Sequence, residues 1–275
     1  MISDNAPRRE GPALPAAARV ALVTGAVDGI GWAVARRLAD EVPHVVLADL
    51  REDAAIARAA ELGPAHLGMR CNVSREEEVA ALFGAVCARF GRLDILVNNA
   101  GIGEQAAATL QQGVDGFDRV LDVHLRGTFL MCREAGRTMV AAGRGSIVNL
   151  GSIAGLAGIP ARNAYGAAKA GILSMTRSLA CEWARSGVRV NAVAPGYVRT
   201  ALVERLAREG ALDVHALEAR TPMGRMADPA EIAEAVAFLA SDRASFITGT
   251  TLNVDGGWLA LGAPEAVLHA NPGAA

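Results

Sequence analysis

No run of lysine or arginine stands out among the 275 residues, and the formal net charge is only −2. So weak a field offers no electrostatic footprint for nucleic acid or an anionic membrane, and neither is expected as a partner. Cysteine is scarce. Cys71, Cys87, Cys132 and Cys181 are too widely spaced for a metal cluster and too few for a disulfide framework, so they read as free thiols of a reducing cytoplasm. Long apolar runs are missing as well: Val20–Val23 and Ile95–Val97 fall far short of a bilayer span. Residues 1–18, with three prolines and mixed charge, lack the apolar core of a secretory leader and read as a loose tail. The expected location is the cytoplasm. With no internal repeat and no Pro/Gly/Ser linker, residues 19–258 are expected to form one domain, followed by a tail over 259–275. The 52% hydrophobic content is enough for an ordinary core.

What is present is a regular alternation. Arg19–Thr24 is a short β-branched run, followed by a turn containing Gly25, Asp28, Gly29, Ile30 and Gly31 and then by a helical pattern through Val34 and Leu38. A strand, a glycine turn and a helix in that order place free N–H groups where a phosphate can bind. The next strand, His44–Asp49, ends in an acid 18 residues beyond Gly31, the spacing at which a carboxylate reaches adenosine ribose hydroxyls. Asp49, with Asp28 inside the turn and no cation at Leu50, argues for NAD over NADP, because a 2′-phosphate would be repelled.

A third strand is expected over His66–Cys71, ending at Asn72, whose amide could meet an adenine edge. Ser74–Glu77 reads as a capping box opening a helix through Val79, Leu82, Phe83, Val86 and Phe90. Asp94–Asn98 is a buried-type strand ending in amides and Gly101, where Asn98 either ties strand ends together or meets the ligand. A long helix is expected over 115–141. Further strands are expected at Ile147–Gly151, at Val188–Pro195 and at Thr250–Val254, which brings the count to seven. Residues 201–220 suit one or two small helices forming a lid, and Asp228-Pro229-Ala230-Glu231 caps the last long helix. The expected fold is α/β, a Rossmann-type doubly wound parallel sheet with helices on both faces. Ligands bind beyond the carboxyl ends of such strands, where the glycine turn, Asp49, Asn98, Ser152 and Pro195-Gly196 all fall.

Tyr165 and Lys169 stand at i and i+4 on one helix face, so an ammonium can favour an ionised phenol. Bringing a phenol from a pKa of about 10 toward neutrality takes roughly 4 kcal/mol. Ser152, at the end of a strand, could hold a substrate oxygen beside Tyr165. These three side chains form a candidate catalytic group.

Thr24-Gly25-x-x-x-Gly29-Ile30-Gly31, Asn98-Asn99-Ala100-Gly101, Ser152, Tyr165-x-x-x-Lys169 and Pro195-Gly196, in this order, resemble the short-chain dehydrogenase/reductase family from about Arg19 to Trp258. The resemblance implies hydride transfer between a nicotinamide and a secondary alcohol or carbonyl carbon. Tyr165 is then the acid or base, Ser152 holds the oxygen, and Lys169 lowers the tyrosine pKa and binds the nicotinamide ribose. It further implies that Asn72 and Val73 contact the adenosine end and that Pro195, Gly196, Val198 and Thr200 hold the carboxamide and pyrophosphate. No metal is implied.

Two positions depart from the family pattern. His124 stands where an asparagine usually serves a proton path to the lysine, so two readings stay open: a relay through the imidazole, or a satisfied helix histidine with no relay duty. Asn72 replaces an acid. Family members commonly associate through the helices near 115–141 and 164–186, which implies a homotetramer or dimer. The substrate expected is a small secondary alcohol. Glu104, Gln105, His124, Asn163 and Tyr197 lean it toward a polyol or sugar. The alternatives are an NADPH-dependent 3-oxoacyl thioester reductase and a non-catalytic NAD-binding sensor.

Overall fold

The computed structural model describes residues 19–103 and 106–269. The N-terminal tail, Glu104, Gln105 and residues 270–275 lie outside the described residues. Seven strands, β1 (Val20–Thr24), β2 (His44–Asp49), β3 (Leu67–Arg70), β4 (Ile95–Asn98), β5 (Gly145–Leu150), β6 (Val188–Pro195) and β7 (Thr251–Val254), form one sheet in the order β3-β2-β1-β4-β5-β6-β7. Every neighbouring pair is parallel. Parallel neighbours cannot be joined by hairpins, so the chain crosses over through helices. These include α1 (Gly29–Ala39), α2 (Glu52–Leu62), α3 (Glu76–Phe90), α4 (Val114–Leu121), α5 (Gly127–Ala142), α6 (Asn163–Trp183), α7 (Ala201–Arg208), α8 (Val214–Arg220) and α9 (Pro229–Ala240).

Alternate residues of each strand feed opposite faces. Val23, Val97 and Val148 pack with Val34, Leu38, Ile232 and Val236 on one side. Their neighbours Leu22, Leu96 and Ile147 pack with Leu82, Val86, Met131 and Met139 on the other. Two buried faces explain why these strands read as unbroken apolar runs. This is the expected Rossmann-type doubly wound sheet. The strand order reverses between β1 and β4, the switch point at whose carboxyl ends sheets of this kind bind their ligands.

The long helix expected over 115–141 forms over 114–142 but is not α throughout. Between α4 and α5 the chain makes a five-residue π turn, Asp122–Arg126, with one residue too many for the usual ladder. Thr128 Oγ1 donates to the His124 carbonyl inside it at 2.6 Å.

The capping box expected at Ser74 is also absent, because α3 starts at Glu76 with no side-chain cap. Asn72 Oδ1 captures Ser74 instead, accepting from its N–H at 3.1 Å and its hydroxyl at 2.8 Å. Glu78 rather than Glu77 reaches back, accepting from the Asn72 N–H at 2.9 Å. At α9 the box does form: Asp228 accepts from the Ala230 N–H and Glu231 from the Asp228 N–H, each at 2.8 Å.

Residues 201–220 form the two short helices α7 and α8. The end of α8 is fastened to the C-terminal segment, where Arg220 donates to the Trp258 and Leu261 carbonyls at 3.2 and 3.1 Å. Among the described residues, no helix is long and apolar enough to cross a membrane.

Candidate active site

The glycine turn joins β1 to α1. Gly25 and Gly29 adopt φ of 61° and 53°. Gly31 is needed for close approach, since a Cβ there would lie 2.1 Å from the Gly25 carbonyl oxygen. Two side chains outside the turn hold it in place. Asn99 Nδ2 donates to the Thr24 and Gly25 carbonyls, both at 2.9 Å. Thr24 Oγ1 accepts from the N–H groups of Asn99 and Ala100 at 3.1 and 3.0 Å.

At the helix start, the Trp32 N–H bonds back to the Asp28 carbonyl. The N–H groups of Gly29, Ile30 and Gly31 precede it and have no partner within the helix. Asp28 occupies the N-cap but its carboxylate caps none of them. With the helix dipole, these donors fit the pyrophosphate of a dinucleotide. Thr200 faces the same turn: a Cβ on Gly29 would come within 3.3 Å of its methyl group.

At the end of β2, Asp49 Oδ1 accepts from the Arg51 N–H at 3.1 Å and from Arg51 Nε at 3.3 Å. Arg51 Nη2 donates to Asp28 Oδ2 at 2.8 Å. The cation that Leu50 does not offer thus comes from the next residue, which sequence reasoning missed. Its only signal is a basic side chain two positions past Asp49. Asn72 has its carbonyl oxygen committed to Ser74. Val73 is buried, and a Cβ on Gly127 would come within 2.8 Å of its methyl group.

Asn98 ties strand ends together. Its side-chain amide is buried and donates to Asn149 Oδ1 at 2.9 Å and to Cys132 Sγ at 3.2 Å. Asn149 Nδ2 donates in turn to Thr176 Oγ1 at 2.9 Å, and Thr176 donates to the Ile172 carbonyl. A buried polar chain therefore ties β4 and β5 to α6, the helix that carries Tyr165. Asn98 belongs to that chain because its position on the strand points it into the sheet's interior.

Ser152, just past β5, accepts from the Ala154 N–H at 3.1 Å, and its side chain is hydrogen-bonded to that of Tyr165. One turn along α6, Lys169 Nζ lies 5.5 Å from the Tyr165 ring centroid and donates to the Leu150 carbonyl at 2.6 Å. Burial brings the ammonium down to about 8. The expected lowering of the tyrosine is not what the structure shows. Burial pushes the Tyr165 phenol up, and the Ser152 hydrogen bond and the Arg162 charge only partly offset it. The ammonium is spent on a backbone carbonyl and faces the ring.

His124 sits in the π turn, 3% exposed, edge-on to Tyr165 with the centroids 5.2 Å apart. Its Nε2 lies 3.1 Å from the Ile102 N–H and 2.9 Å from the Ile102 carbonyl oxygen, while Nδ1 has no hydrogen-bond partner among the described residues. Burial first, and the Lys169 charge second, bring the imidazole down to about 4, so it is neutral at ordinary pH. Gly101 makes room for it, since a Cβ there would fall 2.4 Å from His124 Cε1.

Beyond β6, Pro195 ends the strand and the Gly196 N–H donates to the Val254 carbonyl at 3.0 Å. Val198 bridges to Ala227, and Thr200 caps α7 by accepting from the Val203 N–H. Tyr197 meets Trp258 edge-on, with the ring centroids 6.4 Å apart. The Asn163 amide donates to Thr109 Oγ1 at 2.6 Å.

A family model described as enoyl-(acyl carrier protein) reductase matches residues 25–259. An uncharacterized short-chain type dehydrogenase/reductase of Sinorhizobium fredii is 48% identical over 93% of this chain, which spans only 47% of that relative's length. The cis-4-hydroxycyclohexanecarboxylate dehydrogenase of Sinomonas cyclohexanicum is 49% identical over 89% of this chain and 98% of its own. A crystal structure titled ribose-5-phosphate isomerase, from Brucella melitensis, matches with a TM-score of 0.86 at 40% identity, covering 90% of this chain and 95% of that one. Likeness of this depth, running through nearly all of the described chain, makes it a member of the short-chain dehydrogenase/reductase family, an NAD(P)-dependent oxidoreductase acting on CH–OH groups.

Proposed function

We propose that the chain is an NAD-dependent dehydrogenase that interconverts a secondary alcohol and a ketone on a small polar frame, a polyol, a sugar or a hydroxylated ring. The observation that carries this reading is the meeting of Ser152, Tyr165 and Lys169 at the carboxyl end of the strands, the same end of the sheet that bears the glycine turn. A bound nicotinamide supplies the hydride acceptor or donor. Ser152 holds the substrate oxygen by a hydrogen bond. Tyr165 takes the hydroxyl proton as the alcohol is oxidised and returns it when the ketone is reduced. Burial holds the phenol up, so forming the phenolate calls for the Lys169 ammonium, 5.5 Å from the ring centroid, and a positively charged nicotinamide ring to act on it together. His124, neutral and edge-on, orients the ring. Asp49 at the adenosine end favours NAD.

Frame and fold alone do not name a substrate. The relative named for cis-4-hydroxycyclohexanecarboxylate supports a ring alcohol. A relative named 3-oxoacyl-(acyl-carrier-protein) reductase, 40% identical over 88% of this chain, favours a second reading, NADPH-dependent reduction of a 3-oxoacyl thioester, against which the acids at positions 28 and 49 weigh. The apolar side chains of Val114, Phe117 and Phe129 stand exposed on α4 and α5 and suit a second copy of the chain, in keeping with a tetramer or dimer.

The test is NADH formation with a panel of polyols, sugars and hydroxycyclohexanecarboxylates, repeated with NADP and with Tyr165→Phe. The expected loss in kcat for the variant is about 10²–10⁴-fold with NADH binding retained. Turnover within tenfold of wild type would remove Tyr165 from the chemistry.

A further inference from the structure

We propose that Arg51 is a latched phosphate receptor, a guanidinium beside the ribose-reading carboxylate that Asp28 and Asp49 together keep from serving the 2′-phosphate of NADP. The inference rests on the NAD-dependent reading above and names what sets coenzyme choice in this chain.

Three observations carry it. Arg51 bridges two acids that are 21 residues apart in sequence, with Nη2 on Asp28 Oδ2 at 2.8 Å and both its backbone N–H and Nε on Asp49 Oδ1. Asp28 stands at the N-cap of α1, where an aspartate ordinarily accepts from helix N–H groups, yet it makes no such bond and reaches across to Arg51. Asp49 accepts from Arg51 through Oδ1 alone. Its Oδ2 accepts no hydrogen bond among the described residues and is left for the ribose hydroxyls.

The two ends of the latch differ. The Asp49 side chain is 10% exposed and pinned by the strand end, whereas Asp28 is 62% exposed and Arg51 59%. An exposed pair of this kind is weak, so the Asp28 end is the one a single substitution opens. Two carboxylates and one guanidinium leave a net −1, which repels a phosphate group. Removing the Asp28 charge brings the cluster to neutrality and frees the fork of donors that guanidinium offers a phosphate.

The experiment is equilibrium binding of NADH and NADPH, followed by nucleotide fluorescence at one ionic strength, for wild type, Asp28→Asn and the Asp28→Asn/Arg51→Ala pair. Wild type is expected to prefer NADH. Asp28→Asn should shift the NADPH-to-NADH affinity ratio about tenfold toward NADPH, and the double variant should lose that shift. A ratio within twofold of wild type in Asp28→Asn overturns the latch. So does a double variant that keeps the gain, since relief of repulsion alone would then explain it. Wild type that binds NADPH as well as NADH refutes the latch and leaves hydride transfer standing, whereas wild type that binds neither refutes the dehydrogenase reading and the latch with it.

Discussion

Replacing Gly31 and Gly84 by alanine is the same chemical change inside two helices, and the structure demands opposite outcomes. At Gly31 the new Cβ would lie 2.1 Å from the Gly25 carbonyl oxygen and 2.4 Å from Asn99 Nδ2, where approaches under 3.0 Å essentially never occur. Both neighbours are fixed, one by backbone at φ 61° and the other by its two 2.9 Å bonds. Relief requires the turn to open by about 1 Å, which breaks the Asn99 bond to Gly25. Overpacking and an unmade buried hydrogen bond, less the gain of roughly 1 kcal/mol from alanine in a helix, leave a net loss of about 2–4 kcal/mol. In a domain of this size that lowers Tm by about 5–15 °C. Gly84 lies in α3, exposed, and a Cβ there would meet nothing within 4 Å. There alanine should raise stability by about 0.5–1 kcal/mol. Thermal melts with a nucleotide titration decide it: Gly31→Ala should melt early and bind NADH poorly, and Gly84→Ala should melt late and bind normally. A Gly31→Ala protein as stable as wild type, or one that binds NADH equally well, refutes the reasoning.

Acid should act on the fold through His124. Its folded value of about 4 lies below the ordinary 6.5, so the unfolded chain takes up the proton first as pH falls. The stabilising effect is complete above about pH 6.5 and declines toward pH 4 by up to roughly 3 kcal/mol. Urea midpoints should fall more steeply across that window in wild type than in His124→Asn, and parallel curves would sink the argument. Thr176→Val keeps the volume but leaves the buried Asn149 amide without its acceptor, which should cost about 1–3 kcal/mol by denaturant midpoint. A change under about 0.5 kcal/mol would show that this bond does not fasten α6 to the sheet.

Much of the architecture is legible because strand ends carry marks. His44–Asp49 is read residue for residue, since β-branched and leucine positions stop abruptly at an acid; β3 loses His66 and Cys71, where the apolar signal is weak. The π turn leaves no mark, because one inserted residue preserves helical periodicity on both flanks. Ser74 and Asp228 look alike as caps, and only the competing Asn72 carbonyl, a contact formed in the folded loop, distinguishes them. Tyr165 and Lys169 are legible as neighbours by spacing. The direction in which the phenol is pushed is not, because burial depends on everything packed around α6. Arg51 illustrates the same limit, since its reach back to Asp28 exists only once β1 and β2 are side by side.

The five-residue π turn also sets a constraint of length. Five residues at π geometry turn through about the angle that four cover in an α-helix, so removing one residue from 122–126 would let the ladder close as α and leave α5 in phase with α4. Val120, Leu130, Met131 and Ala135 could then all keep their places in the core. What the loss of a single codon would take away is the seat of His124, which the turn itself supplies.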